Sequence, residues 1–247
     1  MADTRRNPWR APLLGGVFAL CLVTTGVGGW LLGRAHVARS TLAPPVLFAA
    51  PSYQNLTDQI GHKVSSAQFR GKVLVVTFLF PYCNTFCPII AAHLVGFEHM
   101  LESSGLDKQV QVVAFNVDPA GTGPQQMRGF LKEYGWNPRD THWQYLTGTP
   151  QQIRSIVTTG YHVGYEKVPD TGSDNGNAAA LTGGDTPQPI VANPLADKAH
   201  VRYDITHENV LMLVDPQGRV RVIHPEADAV SKWQLLHEVD AILQRTG

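Results

Sequence analysis

The sequence predicts an α/β domain, and three stretches carry that expectation. Residues 72–80 are a β-branched and aromatic run without alternation, the pattern of a central strand covered on both faces, and residues 109–117, with Val110, Val112, Val113, Phe115 and Val117, read as a second buried strand. Between them Ile90, Leu94, Phe97 and Leu101 recur at helical spacing. Strand, helix and strand at that spacing form a βαβ unit, which implies parallel neighbours and a right-handed crossover. Downstream, residues 210–214 and 219–223 read as antiparallel partners across the turn Asp215-Pro216-Gln217-Gly218. A last helix is expected over residues 227–244, with Trp233, Leu236, Val239 and Leu243 on the face that covers the sheet.

The opening residues are of another kind. Arg5, Arg6 and Arg10 precede residues 11–33, an uncharged run that includes Leu13, Leu14, Phe18, Leu22, Trp30 and Leu31. A run of that length crosses a bilayer as a helix, and the basic residues ahead of it favour a cytoplasmic N-terminus. The expected organisation is a cytoplasmic tail at 1–10, a transmembrane signal anchor at 11–33, a tether at 34–50 and a folded domain at 51–247. A cleaved secretory signal is the competing reading, but the apolar run exceeds a usual signal core and no small-x-small site directly follows it. The bacterial inner membrane, with the domain in the periplasm, is therefore the expected location. The mitochondrial inner membrane is the alternative, disfavoured because the opening residues lack the Arg- and Ser-rich composition of a transit segment.

Twenty basic residues balance twenty acidic ones, and the basic side chains are scattered, which argues against a nucleic-acid partner. Within the domain, residues 53–64 read as a small hairpin turning at Gly61-His62, and residues 124–134 and 151–159 as short helices. Residues 169–199 change composition, with Gly183-Gly184, three consecutive alanines and several prolines, and read as a flexible insertion. Asp118, just past the strand at 109–117, either caps the next helix or stands behind a functional site; the cap is the preferred reading.

Of the three cysteines, Cys21 falls inside the apolar run. Cys83 and Cys87 stand four positions apart in Phe80-Pro81-Tyr82-Cys83-Asn84-Thr85-Phe86-Cys87-Pro88, where the first strand hands over to the helix. Pro88 suits a first helical turn, because its missing N–H is not needed there. Cys87 then lies at a helix N-terminus, where unpaired N–H groups and the dipole favour thiolate, so both sulfurs are expected to be close and easily ionised. A structural disulfide would be a weak staple, because closing a loop of about five residues removes little unfolded-state entropy. The residues themselves leave a redox dithiol and a metal clamp both open.

The order of elements resembles a thioredoxin-like fold, with three layers and a mixed central sheet flanked by helices. Three stretches sharpen the likeness: Leu56-Thr57-Asp58-Gln59 leading to Gly71-Lys72-Val73, the Cys83-x-x-x-Cys87-Pro88 motif, and His207 ahead of Leu213-Val214-Asp215-Pro216-Gln217-Gly218. Together they resemble the Sco family, also called SenC, of membrane-anchored copper-binding proteins that help assemble the copper centre of cytochrome c oxidase. The resemblance implies Cys83, Cys87 and His207 as metal ligands, with His207 folding back onto the sulfurs. Asn84 and Thr206 depart from the Pro and Asp that family members often carry at those positions.

What the resemblance implies about function follows from the donors. Two thiolates and one imidazole form a soft, low-coordination set that suits Cu(I), with Cu(II) accommodated if oxygen ligands are added. The expected role is a copper carrier that delivers metal to, or reduces the cysteines of, the copper-centre subunit of cytochrome c oxidase. Other copper carriers and a thiol reductant are the further expected partners. Cys83 and Cys87 would serve as the redox-active dithiol of any thiol–disulfide reductase activity. A periplasmic thiol–disulfide oxidoreductase without physiological copper is the alternative, and a peroxide-reducing redoxin a third reading.

Overall fold

The computed structural model describes residues 44–138, 142–169 and 203–244. The expected anchor at 11–33, Cys21 and nearly all of the expected insertion at 169–199 lie outside the described residues. Among the described residues no helix is long and apolar enough to cross a membrane.

Six strands build the main sheet: β1 (Phe48–Ala49), β4 (Val73–Leu79), β5 (Val110–Asn116), β6 (Trp143–Leu146), β9 (Leu211–Val214) and β10 (Arg219–His224), in the order β1-β10-β9-β4-β5-β6. β4, β5 and β6 run parallel, whereas β9 is antiparallel to β4 and β10 to β9. β4 and β5 are buried at every position, the polar Thr77, Gln111 and Asn116 included, as expected of strands covered on both faces. Two small antiparallel pairs stand apart: β2 (Leu56–Thr57) with β3 (Lys63–Val64), and β7 (Tyr165–Pro169) with β8 (Tyr203–His207).

Helix α1 (Cys87–Ser104) connects β4 to β5 and buries Ile90, Leu94, Phe97 and Leu101, the stripe read from the sequence. It stops at Gly105, whose φ of 69° is the left-handed conformation that glycine adopts without strain; its N–H closes onto Glu102 and Leu101 carbonyls. α2 (Pro124–Glu133) connects β5 to β6. α3 (Pro150–Arg154) opens on a reciprocal cap between Thr149 and Gln152 and runs into a π-helical turn at Ser155–Gly160.

Three expectations need correction. The tether expected at 34–50 overlaps the folded part, because Phe48 and Ala49 pair with Val220 and Arg219 and the Pro44 carbonyl accepts from the Arg221 guanidinium. The last helix is shorter than expected, a 3₁₀ turn at Ala227–Ala229 followed by α4 (Lys232–Leu243). Its buried face is Leu235, Val239 and Ile242, while Trp233 is 61% exposed. Ser231 caps the helix through Gln234 N–H; of the expected face Val239 is buried and Leu236 and Leu243 pack partly buried against the core, so the correction falls on Trp233. The β7–β8 pair has no counterpart among the elements expected from the sequence.

Candidate metal centre

The parallel strands aim their carboxyl ends at one edge of the domain, where open α/β sheets place functional residues. Phe80 follows β4, and its carbonyl accepts from Cys83 N–H at 3.1 Å, tightening the turn into α1. Cys87 is the first residue of α1 and Pro88 the second. The two sulfurs are thereby set by the strand–helix junction. His207 comes from the last position of β8, held in register opposite Tyr165. Backbone bonding from Glu208 N–H to the Gly164 carbonyl at 3.3 Å closes that end of the hairpin.

One donor atom from each of Cys83, Cys87 and His207 lies within 4.8 Å of the others, and all three residues are buried. His207 Nε2 is 3.4 Å from Cys87 Sγ, and Nδ1 is 3.1 Å from the Glu208 carbonyl oxygen. A carbonyl only accepts, so Nδ1 carries a proton, and Nε2 is the ring nitrogen that faces the sulfurs. Phe86 packs edge-on against the imidazole, with centroids 4.8 Å apart and planes at 74°, and so fixes the ring's tilt. Cys83 Sγ is 3.2 Å from the Thr85 hydroxyl.

The two thiols differ in acidity. A hydrogen bond from Cys87 holds the Cys83 thiol well below the ordinary cysteine range; burial opposes this, and the imidazole of His207 and hydroxyl of Thr85 reinforce it. Burial pushes the Cys87 thiol well up, helped by its hydrogen bond to Cys83. The expectation that both sulfurs ionise easily is therefore corrected. Cys87 does sit at the helix N-terminus, but it is wholly buried, and desolvation there outweighs the dipole. Cys83 is the more acidic of the pair. No disulfide joins the two in the structure.

Asp118 does not cap the helix that follows. α2 is capped at Gly123, five positions on, whose N–H donates to Gln126 Oε1 at 3.1 Å. Asp118 is instead buried, accepting from the Tyr203 hydroxyl at 2.6 Å and from Gly121 N–H at 3.2 Å. Sequence reasoning assigned no role to Thr85, Phe86 or Tyr203. The first two lie inside the cysteine motif and were legible as neighbours of the sulfurs, whereas Tyr203 acquires its partner only through the tertiary fold.

The family model described as SCO1/SenC matches residues 49–182, more than half of the chain. The SCO1 protein homolog of Bacillus subtilis (strain 168) is 32% identical over 100 residues, covering 40% of this chain and 48% of the relative. The chain thus spans about half the length of that relative, and 32% and 64% of two further curated relatives. The solved structure of BsSco, described as having a disulfide switch and as a member of the Sco family of cytochrome c oxidase assembly proteins, superposes with a TM-score of 0.58. It is 20% identical, over 83% of this chain and 98% of that one. The copper-bound structure of Bradyrhizobium japonicum ScoI gives a TM-score of 0.54 at 21% identity, over 78% of this chain and 97% of that one. At such identities the superpositions speak to fold, and they establish the thioredoxin-like Sco architecture with its mixed sheet and helices. The family match together with that architecture shows that the chain belongs to the SCO1/SenC family.

Proposed function

We propose that this protein binds one copper ion through Cys83 Sγ, Cys87 Sγ and His207 Nε2 and serves the assembly of the copper centre of cytochrome c oxidase. The observation that carries the proposal is the approach of three soft or borderline donors to within 4.8 Å of one another in a buried pocket. Two sulfurs and one nitrogen fit Cu(I), which accepts low coordination; a closed structural zinc site would require a fourth ligand. Copper is the cargo here, bound for an acceptor. The copper-bound relative supports the choice of metal, and the description of BsSco supports the assembly role.

The acceptor we propose is the copper-centre subunit of the oxidase, with a thiol reductant and other copper carriers as further partners. An N-terminal helix at 11–33 would anchor the domain to the bacterial inner membrane on its periplasmic side. The test is direct. The reduced domain is expected to take up about one Cu(I) per chain, and copper-edge absorption to count two sulfurs and one nitrogen. A His207→Ala variant of unchanged affinity would falsify the ligand assignment.

The acidity difference favours a second, compatible activity. Cys83 as thiolate attacks an acceptor disulfide, forming a mixed disulfide as one acceptor sulfur leaves as thiolate; Cys87 then attacks Cys83, releases the second acceptor thiolate and completes the Cys83–Cys87 disulfide. The buried thiol gives up its proton in the second step. Reduction of an oxidised acceptor peptide that persists in His207→Ala and stops in Cys83→Ser supports this activity.

A further inference from the structure

A second convergence of polar groups lies at the other end of β8 from His207. The Tyr203 hydroxyl, at the first position of the strand, donates to Asp118 Oδ2 at 2.6 Å. The Lys167 ammonium sits 3.3 Å from the centroid of the Tyr203 ring and 4.0 Å from Asp118 Oδ1. A side chain at Gly121 would strike both the Tyr203 hydroxyl and the Asp118 carboxylate, so the approach of these groups depends on glycine there. The loop bearing Asp118 is itself tied to the main sheet. Asp118 N–H donates to Asn116 Oδ1 at 3.0 Å, and Asn116 Nδ2 donates to the Thr122 carbonyl at 3.1 Å.

The position of this cluster matters because of what β7 and β8 lack. They pair with each other and are joined to neither other sheet. A two-stranded hairpin alone is marginal in water, so its seat on the domain comes from side chains. Strand periodicity puts Tyr203, Ile205 and His207 on one face. Ile205 is buried beneath the hairpin, Tyr203 is bonded to Asp118, and His207 meets the sulfurs. Whatever fixes Tyr203 also fixes the tilt and depth of the strand that carries His207.

We propose that Asp118 and Tyr203 form a latch that seats the β7–β8 hairpin, holding His207 over the cysteine pair and thereby setting how readily the third donor withdraws. Both are positioning residues, and neither touches the sulfurs. The inference rests on the reading of His207 as a copper donor, but its first consequence needs no metal. With the latch released the hairpin lifts and uncovers Cys83, which is otherwise 4% exposed.

Tyr203→Phe removes only the hydroxyl and is the main variant. In the metal-free reduced protein it is expected to speed iodoacetamide alkylation of Cys83 several-fold and to speed amide exchange across β8. In the copper-loaded protein, transfer of Cu(I) to a competing chelator is expected to quicken by about tenfold, the scale of one lost charge-assisted hydrogen bond. The nitrogen count at the copper edge is expected to fall as well, which a merely structural change elsewhere would not cause. Asp118→Ala, which also removes the partner of Gly121 N–H and Lys167, should be at least as fast as Tyr203→Phe, and adding Tyr203→Phe to it should change nothing further. Wild-type alkylation, exchange and transfer in Tyr203→Phe overturn the latch. If His207→Ala also transfers copper at the wild-type rate, the ligand assignment itself fails; if His207→Ala is fast while Tyr203→Phe is not, the latch alone fails.

Discussion

Cys87 Sγ and His207 Nε2 lie 3.4 Å apart although 120 positions separate them in the chain. The pair joins two units of different construction. The cysteine belongs to the junction of a fully buried strand and an 18-residue helix. The histidine ends a two-stranded hairpin outside the main sheet. A third donor on a separately seated element is free to withdraw while the first two keep their places, which is what a carrier that must release its cargo requires.

The acidity of the thiols gives the first prediction. Because the Cys83 pKa is lowered, its thiolate persists at pH values below the ordinary cysteine midpoint of about 8.5. In the reduced, metal-free protein, the pH profile of Cys83 alkylation, read by mass spectrometry of peptides, is expected to have its midpoint below that value. Cys87→Ala removes the donor that stabilises the thiolate and should move the midpoint upward. Labelling of Cys87 ahead of Cys83 would contradict the assignment.

Asp215 gives a prediction about acid. Burial raises its pKa, but hydrogen bonds from Arg219 side chain and backbone and from Arg221 outweigh it, and the net shift is downward. A carboxyl with a lowered folded pKa contributes stability above its unfolded pKa of about 3.9, and that contribution is lost as pH falls through the folded value. Asp215→Asn is therefore expected to cost about 3 kcal/mol at neutral pH, since it leaves the largely covered Arg221 side chain, 12% exposed, without its counter-charge. In urea titrations over a pH series, the gap between variant and wild type should close on the acid side of about pH 4. A gap that widens there would reverse the sign argued here.

Tyr145 tests the floor of the site. Its buried hydroxyl donates to the Leu79 carbonyl at 2.9 Å, at the end of β4. That carbonyl also accepts from Val117 N–H at 3.1 Å and so keeps one partner if the hydroxyl goes. Tyr145→Phe is expected to cost about 1 kcal/mol, visible as a fall of several degrees in the thermal midpoint. A loss several times larger would mean that the hydroxyl also supports the cysteine turn.

The phase of α4 supplies a paired test. Trp233 faces solvent, so Trp233→Ser is expected to change stability by no more than about 0.5 kcal/mol. Leu235 is buried, and Leu235→Ala is expected to cost about 2–5 kcal/mol. Chemical denaturation of the two variants tests whether Leu235, and not Trp233, holds the first turn of α4 to the core.

Much of the fold was legible because its central strands obey a one-residue rule. Val73–Leu79 and Val110–Asn116 are covered on both faces, and their predominantly apolar, β-branched composition is the direct imprint of that environment. The β9–β10 hairpin was equally plain, because Asp215 organises its own turn by accepting from Gln217 and Arg219 N–H groups. The cysteine motif declared itself through spacing and Pro88. His207 did not; as one of ten histidines it stood out only through the family resemblance. What stayed hidden was set by distant partners. Asp118 looked like a cap because its tie to Tyr203 spans 85 positions. Tyr165–Pro169 gave no strand signal, since its mate begins at Tyr203. The burial that outweighs the helix dipole at Cys87 comes from the whole core closing over it.

The wide separation of the donors along the chain also orders events during synthesis. The two thiols emerge from the ribosome long before the imidazole does, and for that interval the nascent polypeptide offers a pair of sulfurs with no third partner. Only when β8, and with it β9 and β10 of the main sheet just downstream, has been made does the trio exist. Acquisition of cargo is thus tied to completion of the domain, and a truncated or half-folded chain retains at most a two-sulfur site.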